Sequence, residues 1–299
     1  MSGEPTEEHT PSHVRPGVVR GGRAALPKIA LSGGRLIEGF MMTDPSIDVS
    51  RPSSARVWNY LLDGKDNFAV DRELGEALRA ANPGIADVAR AQRKFLIQAV
   101  TLFAGEVGIR QFLDIGTGLP TADNTHEVAQ RVAPDSRIVY VDNDPLVLVH
   151  ARALLTSTPE GETAYVDSNV EDPERILTEA ARTLDFSRPV ALTMIGILGN
   201  VADYTEARSI VTRLLAAVPS GSYLAVSDGT STSAQSVESQ RVAKQSGHPY
   251  NLRTPEEITG YFDGLEILEP GVVSTSMWRP QPGTDAQPLD VYCAVGRKP

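Results

Sequence analysis

Residues 111–121 read QFLDIGTGLPT: an apolar run that carries one acid, Asp114, and then two glycines one residue apart, Gly116 and Gly118. A helical pattern follows. Such a stretch is a buried strand feeding a tight turn and a helix, the place where parallel α/β sheets hold nucleotide-like ligands. Glycine serves there because a side chain would block a ligand's approach, or because the turn requires positive φ. The rest of the chain repeats this unit. Candidate strands are 111–115, 137–141, 163–166, 190–197, 223–227, 265–269 and 291–296. Candidate helices lie near 124–132, 145–155, 173–184, 204–217, 233–244 and 255–262. Alternation at this spacing means βαβ units with right-handed crossovers, hence a Rossmann-like α/β fold with a seven-stranded, mostly parallel sheet. The last two strands lack an intervening helix and are joined by what reads as a long hairpin loop, so the final strand is expected to run antiparallel. The polar stretch 230–236, TSTSAQS, reads as a mobile loop.

The 299 residues, 41% of them hydrophobic, suffice for one large α/β domain with an extension. Residues 1–41 are rich in Pro, Gly, Glu and Arg without a sustained period, and read as a disordered tail. Met41 and Met42 directly precede the organised sequence, so either is a candidate translation start; a genuine floppy tail is the equal alternative. Residues 42–108 carry three helical patterns and are expected to form a cap over the edge or mouth of the sheet, without an obvious core of its own. Residues 109–299 then form the ligand-binding domain. No apolar run approaches the roughly 20 residues of a membrane span, and the start shows no export-signal layout. One cysteine, Cys293, excludes an intramolecular disulfide and a cysteine-based metal cluster. No metal is expected, and a cytoplasmic location is. A formal net charge of -10 argues against duplex nucleic acid as a partner.

Polar groups recur at successive strand ends. Asp114 lies at the first glycine turn, Asp142 follows 28 residues later, and Asp167 or Asn169 ends the third strand. Strand C-termini of a parallel sheet share one edge, so these side chains converge on one crevice. An acid after the second strand is placed for two ribose hydroxyls, and a polar group after the third for an adenine amino group. A dinucleotide is the competing ligand. Its fingerprint needs a third glycine where this chain has Thr121, and an acid about 20 residues on, whereas Asp142 is 26 residues past Gly116. Pro120 removes one backbone donor, and Asp114 would repel phosphates. It would suit the ammonium of a methionine moiety. The turn is therefore assigned to S-adenosylmethionine. In the cap, Lys65 is a candidate partner for the donor's carboxylate, and Tyr60 or Trp58 for closing the pocket. His248 is placed to line a substrate mouth, and His126 to cap or pack.

The segments PSSARVWNYLLDGKDNFAVDRE, RQFLDIGTGLPT, NTHEVAQ, VYVDNDPLVLVHARALL and the closing VGRKP resemble an S-adenosyl methyltransferase family long described as a domain of unknown function. The resemblance spans 47–299. It implies a class I methyltransferase fold with a helical N-terminal addition, and a donor site at Asp114, Gly116, Gly118, Asp142 and Asn143. It also implies that Tyr60 and Lys65 lie near that site. The chain departs from the pattern at three places. Leu198-Gly199 and Ser227-Asp228 stand where members carry histidine second in the pair, and Asn169 replaces an acid. The expected activity is direct in-line methyl transfer to a small molecule. Asp228, Tyr204 and Tyr250 are the candidate catalytic groups, placed by loop position. The alternative, which the missing histidines motivate, is a catalytically silent donor-binding sensor or interaction protein.

Overall fold

The computed structural model describes residues 47–154 and 156–299; the expected tail, 1–41, and both candidate start methionines lie outside the described residues. Three helices come first: α1 (Ser54–Leu61), α2 (Ala69–Ala81) and α3 (Ile85–Thr101), the last running into a π-turn at Leu102–Glu106. Alternation follows as expected, through β1 (Gln111–Ile115), α4 (Thr125–Val132), β2 (Arg137–Asp142), α5 (Pro145–Leu154), β3 (Glu162–Asp167), α6 (Pro173–Ala180), β4 (Ala191–Ile195), α7 (Tyr204–Ala216) and β5 (Tyr223–Gly229). The chain closes with α8 (Ala234–Gln245), α9 (Pro255–Gly260), β6 (Glu266–Ile267), β7 (Val273–Ser274) and β8 (Val291–Arg297).

The sheet order is β3-β2-β1-β4-β5-β8-β6, with β7 also paired to β8. Strands β1 to β5 are parallel, and β8 runs antiparallel to β5, β6 and β7. The expected antiparallel end is present, with eight strands rather than seven. The additional strand, β7, comes from the segment read as a hairpin loop. That segment also delivers Trp278, 1% exposed, whose ring meets Phe95 edge-on at 5.0 Å. Strand order reverses between β1 and β4, which is where such sheets bind ligands.

Period-two alternation splits the strands between two cores. Leu113, Val139, Leu192, Met194, Leu224 and Val226 face α6, α7 and α9. Phe112, Ile138, Ala191, Ala225, Cys293 and Val295 face Phe95, Ala99 and Phe103 of α3 and its π-turn, with α4 alongside. Helix α3 is thus a layer of the sheet domain as well as part of the cap, and the described residues form one compact unit. The cap also has a small core: Val57, Leu61, Leu74, Leu78 and Ala89 close on Ala243 of α8. The cap was expected to lack an obvious core of its own; this cluster is completed by Ala243 and Val242, residues far downstream.

Buried ions tie the cap to the sheet. Arg56, 3% exposed, lies 3.3 Å from Asp71 and 3.9 Å from Asp144 at the start of α5. Asp71 also accepts from the backbone N–H groups of Ser53 and Phe68, and the Ser53 hydroxyl donates to Asp144. The stretch read as a mobile loop is held in place. Thr232 donates to Asp290 at 2.7 Å, and Ser233 donates to the same carboxylate while capping α8. Among the described residues, no helix is long and apolar enough to cross a membrane.

Candidate active site

One cavity of about 700 Å³ opens at the C-terminal edge of the sheet and runs from the β1 turn to the underside of α1, α2 and α8. Its floor is the glycine turn. Gly116 and Gly118 have φ of 76° and 68°, the left-handed region that glycine enters freely. A Cβ at Gly116 would lie 2.6 Å from Ile197, whereas one at Gly118 would meet no protein atom within 4 Å. Gly118 therefore keeps clear a space that belongs to the cavity.

Asp114 and Asp142 anchor this floor. Asp114 is 4% exposed and accepts from the hydroxyls of Thr125 at 2.6 Å and Thr193 at 2.7 Å. Burial raises its pKa, and the two hydroxyls and the Arg93 guanidinium oppose that shift. Asp142 accepts from the Gly118 N–H at 2.8 Å and the Asp144 N–H at 3.0 Å. Burial pushes its pKa up to about 6. Asn143, Ser168 and Asn169 continue the wall across β2 and β3.

Two residues that sequence reasoning missed stand opposite, on α3. Gln92 is 2% exposed, donates to the Ser227 carbonyl at 3.2 Å, and leaves its Oε1 buried without a partner. Arg93 donates to the carbonyls of Ala122 and Asp123, while its Nε is buried and unpartnered. Both line the cavity. The available signal was a pair of polar residues interrupting the apolar stripe of Val88, Ala89 and Leu96.

The remaining expected residues divide. Asp167 is exposed at the end of β3 and is absent from the cavity wall, which Asn169 reaches instead. Tyr60 turns away, donating to Glu76 and packing on Gly75 with the Arg79 guanidinium 5.0 Å from its ring. Lys65 is exposed in the turn after α1 and does not line the cavity. Trp58, two positions before Tyr60 and so about 200° round the helix from it, does line the cavity. Tyr204 begins α7, donates to the Glu257 carbonyl at 2.8 Å, and packs on Tyr261 outside the cavity. His126 is packing, its Nδ1 2.8 Å from the Tyr140 hydroxyl.

Asp228 and Tyr250 form one unit. Asp228 is fully buried, accepts from the Gly199 N–H at 2.9 Å, and receives the Tyr250 hydroxyl. Burial pushes its pKa up to about 7. Tyr250, not Asp228, reaches the cavity. A Cβ at Gly199 would run into the Tyr250 ring. The two departures at Gly199 and Asp228 are thus one adjustment: the first leaves room for the tyrosine ring and the second binds its hydroxyl.

The cavity fits S-adenosylmethionine. Carboxylates on its floor suit hydroxyls and a cation and would repel a pyrophosphate. The orphaned Gln92 Oε1 lacks a donor such as an ammonium, and the orphaned Arg93 Nε lacks an acceptor such as a carboxylate. Among the described residues, no His, Cys, Asp and Glu group is arranged to hold a metal ion. A sequence profile described as S-adenosyl methyltransferase matches residues 41–299. A DUF574-family protein from Streptomyces avermitilis is 47% identical, with a TM-score of 0.81 over 84% of this chain and 99% of its own. A candidate methyltransferase from Thermobifida fusca is 42% identical, with a TM-score of 0.79 over 85% of this chain and 97% of its own. No match was found among curated proteins. With sheet order, glycine turn and profile in agreement, the chain belongs to the S-adenosyl methyltransferase family and is an S-adenosylmethionine-dependent methyltransferase of class I fold.

Proposed function

We propose that this enzyme transfers the methyl group directly to a small, largely apolar acceptor held between the donor turn and the helical roof. The continuity of one cavity from Gly118 to Trp58 and Leu78 carries this reading. When bound, the donor supplies a methyl group made electrophilic by its positive sulfur. The protein then supplies alignment and exclusion of water.

In this reading Asp142 receives the ribose hydroxyls, with Asn143 and Asn169 beside the base and Gly116 and Gly118 beneath the sulfur end. Gln92 Oε1 and Arg93 take the ammonium and carboxylate, with Asp114 setting the local field. Asp167, Tyr60 and Lys65 are assigned no donor contact. Tyr250, fixed by Asp228, shapes the acceptor chamber. Residues 42–108 act as cover and 109–299 as the donor-binding part, with α3 serving both. The lone cysteine, buried, accords with work in a reducing cytoplasm. The silent-binder reading gains no support from the site.

Calorimetry tests the assignment. S-adenosylmethionine and its demethylated product should both bind, and Gln92→Leu should weaken the donor by about tenfold, the loss of one charge-assisted hydrogen bond. Binding of a nicotinamide dinucleotide in the donor's place would overturn it.

A further inference from the structure

One polar constellation on the chamber wall has no part in donor binding. It joins the cap, the β4 loop and the turn after α8. His248 follows α8, its backbone N–H donating to the Ala243 carbonyl at 3.0 Å, and its Nε2 lies 2.7 Å from the Ser54 hydroxyl. Ser54 is the first residue of α1, and its hydroxyl donates to Asn200 Oδ1 at 3.2 Å. Asn200 in turn donates its Nδ2 to the Ile197 carbonyl at 3.2 Å. All three side chains line the cavity.

These bonds constrain one another. The Ile197 carbonyl can only accept, so the Asn200 amide presents its oxygen to Ser54. The one hydroxyl proton of Ser54 goes to that oxygen. With that proton on Asn200, Ser54 Oγ accepts from His248, an arrangement that places the imidazole proton on Nε2 and a lone pair on Nδ1. Nδ1 has no hydrogen-bond partner among the described residues. Asn200 sits just past the C-terminal end of β4, beside the strand-order reversal, so the imidazole stands on the reaction side of the cavity. The cavity lining includes apolar and aromatic residues: Trp58, Leu62, Leu78, Val88, Tyr250 and Leu252.

We infer that His248 is the general base of the methyl transfer, its Nδ1 removing the proton from a hydroxyl or ring N–H on a flat, apolar, aromatic acceptor, with Ser54 and Asn200 as positioning residues. The inference rests on the methyltransferase reading above. In the step, the acceptor's O–H or N–H bond breaks and its proton passes to Nδ1. The freed electron pair forms the bond to the methyl carbon as the carbon–sulfur bond breaks, leaving those electrons on sulfur. The products are the methylated acceptor, the neutral thioether and an imidazolium that returns its proton to water. Burial lowers the His248 pKa, with Asp71 of α2 opposing and Arg56 of α1 reinforcing the shift, so the ring is neutral at physiological pH.

Three measurements on the full chain separate the possibilities. Calorimetry with S-adenosylmethionine tests the parent reading by itself. Imidazole nitrogen NMR of the nitrogen-15-labelled protein, with His248 assigned through His248→Gln, should show the Nε2–H tautomer and a pKa below that of free histidine. Ser54→Ala should shift the Nε2 resonance and lower the share of the Nε2–H tautomer. An Nδ1–H tautomer, or a spectrum indifferent to Ser54→Ala, would overturn the proposal. Methyl transfer is then followed to 4-methylphenol and to 4-nitrophenol at about pH 8, where the second is already ionised. His248→Gln should cost about a hundredfold on the first and little on the second. Equal losses on both, or donor binding with neither phenol methylated by the wild type, would overturn the base or the acceptor class while leaving the methyltransferase assignment standing.

Discussion

Gly118 and Asp142 are joined by one hydrogen bond, yet they respond differently to change. A Cβ at Gly118 would meet no protein atom, so Gly118→Ala meets only the strain of a left-handed backbone, about 1–2 kcal/mol. The new methyl would project into the cavity. Thermal denaturation should therefore show a modest loss, while calorimetry shows donor affinity falling by well over about tenfold. Burial pushes the Asp142 pKa up to about 6 in the folded protein, from an ordinary value of 3.8. Between those values the folded carboxyl holds its proton when the unfolded one has lost it. The unliganded protein accordingly loses stability as pH rises through this window and loses no more above it. Donor binding runs the other way. In the proposed donor placement, ribose hydroxyls at Asp142 need the ionised carboxylate, so affinity should weaken about tenfold one unit below that pKa and level off above it. Asp142→Asn should bind poorly at every pH and abolish the slope. The glycines and acids of this floor were legible in sequence because spacing alone puts strand ends on one edge. Gln92 and Arg93 were not, because a helix contributes to a site by which face it turns, and α3 turns its polar pair inward only after it has packed on the sheet.

At the level of elements, the cap is held by charge as much as by apolar contact. Asp71 is fully buried, pairs with Arg56, and closes the start of α2 through the Phe68 N–H. Asp71→Ala leaves the Arg56 guanidinium buried beside Asp144 at a longer distance, and removes a helix cap. Breaking a buried pair from one side costs about 3–5 kcal/mol. Urea denaturation should show a loss of that order, and Asp71→Asn, which keeps the acceptor oxygen for the backbone, a smaller one. The strands and helices themselves were legible from periodicity, since β1, β2 and β4 are mostly apolar runs between turn signals. The segment before β8 was not. Its Pro- and Ser-rich composition hides both the two-residue β7 and Trp278, whose burial depends on Phe95 of α3, a contact between residues far apart in the chain.

Seen whole, the chamber roof is assembled from two distant parts of the chain. Helices α1 and α2 precede the sheet, and α8 is inserted between β5 and α9; Ala243 packs in one cluster with Leu74 and Leu78. On the proposed reading, the donor floor belongs to the sheet, and the acceptor chamber exists only where roof and floor meet. Shortening the chain separates these roles. A chain beginning at Gly84 retains α3 with Gln92 and Arg93 and keeps both faces of the sheet covered. It should unfold cooperatively at a lower temperature and bind S-adenosylmethionine within about tenfold of the full chain, while showing no methyl transfer, since Ser54 and the α1–α2 walls are gone. A chain beginning at Gln111 removes α3 as well. That strips Phe95, Ala99 and Phe103 from Phe112, Trp278 and Val295, exposing a continuous apolar face. Each large side chain uncovered costs about 2 kcal/mol, against a total stability of about 5–15 kcal/mol for a domain. This shorter chain should give no cooperative thermal transition and should bind a hydrophobic dye. If it instead folds and binds the donor, α3 belongs to the roof alone and the placing of Gln92 and Arg93 at the donor's amino-acid end fails with it.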